Sequence, residues 1–286
     1  MLTIKQNQER ISNDIQLKRA MLNKKPLIDV KRVPKWQFPH GAELTYRKQL
    51  FKIVDLIDKS LNEILAPRLS TLQAELNSKR PQLKTDDYLS DLNGIIALMR
   101  VFVTNRQNKP EDIAETMGID ISQFNQKQLQ KTMHTVFGVD VFTHEPWLSD
   151  QLDLFAQQNV DLITNLTDKA LGDIKGIVTR GFAGGINLKD MSNQLKDRIG
   201  FTKNRAKLIA RDQTSKLNGQ LTQLRQTQNG ISKYQWATAG DERVRPSHAE
   251  KEGNIYSWDN PPADTGNPGD DINCRCVAIP ILEDLI

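Results

Sequence analysis

The chain has 286 residues, a net charge of +4, 38% apolar residues and two cysteines. It contains no run of ~18 apolar residues, so no membrane-spanning helix is expected, and MLTIKQNQERISND lacks the apolar core of a secretory signal. Two cysteines are too few for a secreted disulfide scaffold, so a reducing cytoplasm is the expected setting.

Residues 1–40 read as a basic, partly helical arm. Residues 1–50 hold eleven Lys/Arg against four Asp/Glu, and residues 201–250 hold nine against four. Lys18, Arg19, Lys24, Lys25, Lys31 and Arg32 are candidates for contact with phosphates through counterion release, or with an acidic partner. A solvated helix face is the competing reading. The last 36 residues reverse the balance, with two Lys/Arg against seven Asp/Glu.

VPKWQFPHG (33–41) has two prolines and a terminal glycine, which predicts a loop or linker. Apolar residues from Tyr46 to Leu65 recur at helical spacing, and Pro67 predicts an end near there. Leu69, Leu72 and Leu76 leave open a continuation beyond a kink. A second helix is expected over Tyr88–Val103, and two short helices over 110–137. GVDVFTHEPW (138–147) reads as extended or looped. Ser149 is a candidate cap for a helix that glycines 181, 184 and 185 end. Asn187 then caps a short helix expected to stop at Gly200, and a long helix follows from about Thr202 to Gln228.

Beyond Gly230 the pattern changes. ISKYQWATA (231–239) alternates and reads as a strand, short strands follow to residue 262, and CVAIPI (276–281) reads as a last strand. The order predicts an α+β protein: a mostly helical N-terminal region, then a C-terminal domain of helices packed on a small sheet.

GDDINCRCVAIP (269–280) holds both cysteines. In a strand, Cys274 and Cys276 point to the same side, ~6.6 Å apart along the backbone. A disulfide there would close a small strained ring. Two thiolates on one zinc ion need sulfurs only ~4 Å apart, which side-chain rotation reaches. DERVRPSH supplies Asp241 and His248, so the candidate ligand set is Asp241, His248, Cys274 and Cys276, and it suits Zn²⁺. The bland reading is two buried thiols beside a hydrogen-bonded histidine. A metal-dependent hydrolase or nuclease would use His248 with Glu242 or Glu250, although both glutamates more naturally face solvent. H-E-x-x-H, Walker A, dinucleotide-binding and G-x-S-x-G motifs are absent. In IARDQTSKLN, Arg211, Thr214 and Asn218 share one helix face. Such a polar stripe is usually solvated, but it could instead bond into the DERVR turn.

Together these motifs run as IAR-x-x-T-x-x-x-N, a strand ending in Trp236, D-x-R-x-R-x-x-H, Gly253, PP and N-C-R-C. In this order they resemble the phage Mu F-like minor head protein family, also called phage head morphogenesis proteins. The resemblance covers about Gly138 to Pro280 and implies a domain over 138–286; residues 41–137, which read as a helical region, show no distinct family motif but are compatible with it. By position the family motif falls on Arg211, Thr214, Asn218, Trp236, Asp241, Arg243, Arg245, His248, Gly253, Asn273, Cys274, Arg275 and Cys276. One departure stands out: where the family commonly has an acidic residue directly before the threonine, this helix reads ARDQT, with Asp212 beside the arginine. The resemblance implies a minor component of a tailed-phage head, near the portal vertex inside the virion, assembled in the host cytoplasm. Its implied partners are the portal, major capsid or scaffold proteins and packaged DNA, with no membrane. It also favours a shared site for Asp241, His248 and the two cysteines, holding a structural zinc.

Overall fold

The computed structural model describes residues 4–21, 33–79, 85–139, 145–282 and 285. In chain order these form α1 (Ile4–Met21), α2 (His40–Ser60), a π-helical stretch (Leu61–Leu65), α3 (Ala66–Lys79), α4 (Thr85–Thr104), α5 (Pro110–Phe137), α6 (Leu148–Ala183) and α7 (Leu188–Gln228). The sheet region follows as β1 (Lys233–Ala237), α8 (Pro246–Ala249), β2 (Ile255–Ser257) and β3 (Val277–Pro280). The fold is α+β, as the element order predicts. Of the basic-arm candidates, Lys24, Lys25, Lys31 and Arg32 lie outside the described residues. Lys18 and Arg19 lie on α1, and their side chains are not among those described.

Four local expectations are corrected. Pro67 does not end its helix. A proline removes one backbone donor and crowds the carbonyl four residues back, and here the π-helical stretch lies immediately before that turn, so the helix continues as α3. Residues 110–137 form one helix rather than two. Its inner face, including Ala114, Met117, Ile121, Leu129 and Met133, is buried throughout, which outweighs the ~1 kcal/mol cost of Gly118. Gly200 likewise fails to stop a helix: α7 runs unbroken for 41 residues, with Met191 and Leu195 buried before the glycine and Ala206 and Ala210 after it. Ser149 lies inside the first turn of α6 rather than at its cap. Asn187 does cap α7, its Oδ1 accepting the Asp190 N–H at 2.9 Å.

The chain divides into two compact units, each built from separated segments. One unit holds residues 44–114 and 156–210. Its core is all-helical, with Leu50, Ile53, Val54 and Ile57 from α2, Leu92 and Met99 from α4, and Ile163, Leu166 and Ile174 from α6. Inside it the Tyr46 hydroxyl donates to Asn159 Oδ1 at 3.0 Å, and burial pushes that phenol well above its ordinary pKa.

The other unit holds residues 1–43, 115–155 and 211–286. Its sheet is antiparallel in the order β2-β1-β3. Strand alternation sends side chains to two faces, and each face has its own core. On one face Val277 packs with Ile11 and Ile15 of α1, Trp36, Phe38 and, from α5, Leu129 and Met133. The proline-flanked loop thus works as an anchor: Trp36 Nε1 donates to Thr132 Oγ1 at 3.0 Å. On the other face Tyr234, Trp236 and Ala278 pack with Trp258, Cys274 and Cys276. Gln226 of α7 ties that face to the helix, donating to the Ala278 carbonyl at 3.0 Å and accepting from Trp258 Nε1 at 3.1 Å.

Candidate metal centre

The segment 266–273 lies directly on α7. A Cβ on Gly219 would sit 2.5 Å from the Pro268 carbonyl oxygen, and one on Gly269 would sit 2.7 Å from the Ser215 carbonyl oxygen. Two glycines therefore let backbone meet backbone. Just beyond, Asn273 adopts φ 60°, a left-handed conformation that asparagine tolerates better than most residues. Two neighbours on α7 hold it there. Asp212 Oδ1 accepts the Asn273 N–H at 3.0 Å, and Arg211 Nη1 donates to Asn273 Oδ1 at 3.3 Å. This is the turn that leads into N-C-R-C.

The polar stripe on α7 is consequently buried, not solvated. Thr214 and Asn218 are inaccessible, and Asn218 Oδ1 accepts from Asn125 Nδ2 at 3.1 Å. Arg211 lies 3.6 Å from the buried carboxylate of Glu43. Arg211, with Asp212, grips the cysteine-bearing turn rather than the DERVR turn. Asp212 places a carboxylate where it secures that turn.

His248 sits on the single-turn helix α8, which Pro246 starts. It is buried with Cys274 and Cys276, and one ligand atom from each of the three lies within 4.8 Å of the others. His248 Nδ1 faces both sulfurs, 3.3 Å from Cys276 Sγ and 3.7 Å from Cys274 Sγ. Its Nε2 lies 3.0 Å from Asp271 Oδ2. Trp236 packs edge-on against the imidazole at 5.5 Å between centroids. The Cys276 N–H points at Cys274 Sγ at 3.3 Å. Hydrogen bonding from the Cys276 thiol, helped by backbone N–H groups of Cys276 and Gly269, pulls Cys274 down to about 6, against the opposing effect of burial. The same pairing, with burial added, pushes Cys276 up.

Asp241, the fourth expected ligand, turns elsewhere. Both its oxygens accept from Arg275, at 2.6 and 2.7 Å, and Oδ1 also accepts the Arg243 N–H at 3.2 Å. The carboxylate beside His248 is Asp271, which also binds Arg245. Burial opposes ionisation of Asp271, but the His248 hydrogen bond and the Arg245 charge hold it below the usual carboxylate range. Sequence reading missed Asp271 because it is one of two adjacent aspartates. Its neighbour Asp270 caps the preceding turn instead, accepting the Asn267 N–H at 2.7 Å. Glu242 and Glu250 are exposed. Gly253 takes φ 77° and donates its N–H to the Trp236 carbonyl at 2.9 Å.

A cysteine–histidine–aspartate line can raise a nucleophile or orient a metal ligand. Size separates these uses. The adjoining cavity, lined by Arg243, Arg245, Asn273 and Arg275 beside the trio, holds about 40 Å³. That accommodates a water or two, whereas substrate pockets run to roughly 300–1,000 Å³.

The Asp241–Arg275 clamp gives a pH prediction. Hydrogen bonding from Arg275 lowers the Asp241 carboxyl from 3.8 to about 2. A depressed folded pKa means that the stabilisation is complete above the unfolded pKa and is lost as pH falls through the folded one. Between pH 5 and 2 the wild type should therefore lose stability that Asp241→Asn has already lost at neutral pH. Urea midpoints across that range, read by tryptophan fluorescence, check this. Equal pH slopes for the two proteins would count against the clamp.

Residues 172–279 match the family model described as "Phage Mu protein F like protein". A Haemophilus influenzae protein described as "Uncharacterized protein" is 34% identical over 254 residues, covering 85% of this chain. The chain spans about half that relative's length, 54%. No solved structure matches the chain.

Proposed function

We propose, from the match of residues 172–279 to the Phage Mu F-like family, that the chain is a minor head protein of a tailed bacteriophage. In this reading it associates with the portal vertex inside the head and acts in head morphogenesis and in DNA packaging or delivery. Its partners are the portal, the major capsid or scaffold proteins, and packaged DNA. The observation that carries the reading is the family segment itself, whose dispersed motif residues serve one purpose. Arg211 and Asp212 hold Asn273, Arg275 holds Asp241, and His248 meets both cysteines. Motif residues occupied with each other suit a structural module.

A hydrolase or nuclease reading finds less support. Both His248 nitrogens already face protein groups, and the adjoining cavity is water-sized. No described helix is long and apolar enough to cross a membrane.

DNA contact is assigned to the basic arm rather than to α7. Of the six cations between Lys203 and Arg225, four are engaged in ion pairs: Lys203 with Asp55, Arg211 with Glu43, Lys216 with Asp212 and Arg225 with Glu145. The test is co-purification of tagged chain with portal and procapsids from infected or induced cells. Absence from both procapsids and virions would overturn the proposal. Duplex binding should weaken steeply with salt, and replacing Lys24, Lys25, Lys31 and Arg32 by alanine should flatten that salt dependence.

A further inference from the structure

We propose that His248, Cys274 and Cys276 bind one Zn²⁺ ion, that Asp271 orients the histidine from behind, and that water in the adjoining cavity completes the coordination. The inference is independent of the protein's place in the phage head.

The distances fit the ion. Zinc bonds of ~2.0–2.1 Å to nitrogen and ~2.3 Å to sulfur, at a tetrahedral angle, put nitrogen and sulfur ~3.6 Å apart. The observed Nδ1–sulfur separations are 3.3 and 3.7 Å. The same geometry puts the two sulfurs ~3.8 Å apart, inside the 4.8 Å limit that the three donor atoms share. Two sulfurs and one imidazole make a donor set that zinc prefers over magnesium or calcium.

The surroundings fit as well. A zinc-bound histidine generally gives its other ring nitrogen to a carboxylate, and Nε2 lies 3.0 Å from Asp271. In that arrangement Nε2–H donates to Asp271, leaving the Nδ1 lone pair for the metal. Asp271 is itself held by Arg245. Three guanidinium groups line the cavity, which would oppose a cation if they were uncompensated. Arg245 is paired with Asp271 and Arg275 with Asp241, and the metal-bound thiolates carry two further negative charges. Thiol protons displaced by the metal leave to solvent. Asp241 is therefore not a ligand but part of this compensation. Three protein ligands leave a fourth position, and the cavity has room for one water there.

The site would tie α8 to the strand-entry turn, joining segments 26 and 28 residues apart. The full chain, purified under reducing conditions, should contain one zinc per molecule by elemental analysis. Stripped with a chelator and titrated with Co²⁺, it should develop both a thiolate-to-cobalt charge-transfer band and the visible bands of tetrahedral cobalt. Cys274→Ser/Cys276→Ser should lose the metal, and Asp271→Asn should keep it with affinity 10- to 100-fold lower. The cobalt spectrum is read on the wild-type protein, so a variant that fails to fold leaves the test intact. The proposal is overturned if folded wild-type protein takes up neither Zn²⁺ nor Co²⁺, if bound cobalt shows no thiolate band, if the double cysteine variant binds metal as well as the wild type, or if thiol titration finds the two sulfurs joined as a disulfide.

Discussion

Arg225→Met should destabilise the unit built on residues 1–43, 115–155 and 211–286 by about 3–5 kcal/mol, the cost of stranding a buried charge. Arg225 is 1% exposed. Its five N–H groups meet five acceptors. Nε and Nη2 donate to the two Glu145 oxygens at 2.7 and 2.8 Å. Nη1 donates to the Ser122 carbonyl at 2.9 Å and Asn125 Oδ1 at 3.0 Å. Nη2 also donates to Ser122 Oγ at 2.9 Å. Glu145 is 10% exposed, so removing the guanidinium leaves a carboxylate with little water to replace it. Removing both charges should be far milder than removing one, so Arg225→Met/Glu145→Gln should recover much of the loss. All four tryptophans, Trp36, Trp147, Trp236 and Trp258, lie in this unit, so fluorescence-detected urea unfolding reports on it specifically. A loss below about 1 kcal/mol in the single variant would contradict the argument.

Gly269→Ala should be comparably damaging, by about 2–6 kcal/mol, the sum of left-handed backbone strain and overpacking. Gly269 has φ 107°, and its added methyl would sit 2.7 Å from a backbone oxygen and 3.2 Å from the Gly219 Cα. Backbone atoms of a helix cannot rotate aside as a side chain can. Gly219→Ala, whose methyl would meet the Pro268 carbonyl oxygen at 2.5 Å, carries the overpacking part alone, about 1–3 kcal/mol. Both changes push the 266–273 segment off α7, so the cysteine thiols should become reactive to alkylating agents in the folded protein. Gly200→Ala is the control. Its methyl would meet nothing within 4 Å, and it should stabilise α7 by up to about 1 kcal/mol, read by circular dichroism. If Gly269→Ala behaves like Gly200→Ala, the close approach has no energetic weight.

The sequence by itself determined the helical character and the late switch to strands, and it put His248 and the two cysteines forward as candidates for one site. These rest on local signals: apolar periodicity, alternation in KYQWA, and chemically distinctive residues set in a spaced motif. Helix ends were less legible. Gly200, Gly118 and Pro67 carry ordinary breaking signals, but packing along 28- and 41-residue helices outweighs a local cost of about 1 kcal/mol at each glycine.

Only the tertiary structure decided who bonds with whom. Arg225 meets Glu145 and Ser122 across 80 and 103 residues, and no pattern in sequence foretells such a meeting. The stripe of Arg211, Thr214 and Asn218 has the spacing of a solvated helix face, and whether water or distant chain covers it (here Asn273 on Arg211 and Asn125 on Asn218) depends on distant backbone. Asp241 lost the role expected of it for the same reason, and Asp271, for which none was expected, took the place beside His248. Asp241 was the conspicuous carboxylate of the motif, yet Arg275 lies within its reach. Asp271 lies only three residues before Cys274, and the left-handed turn at Asn273 separates it from the segment that carries the thiols into β3. Residue type and spacing select which groups can form the centre; the path of the backbone between them assigns each group its partner.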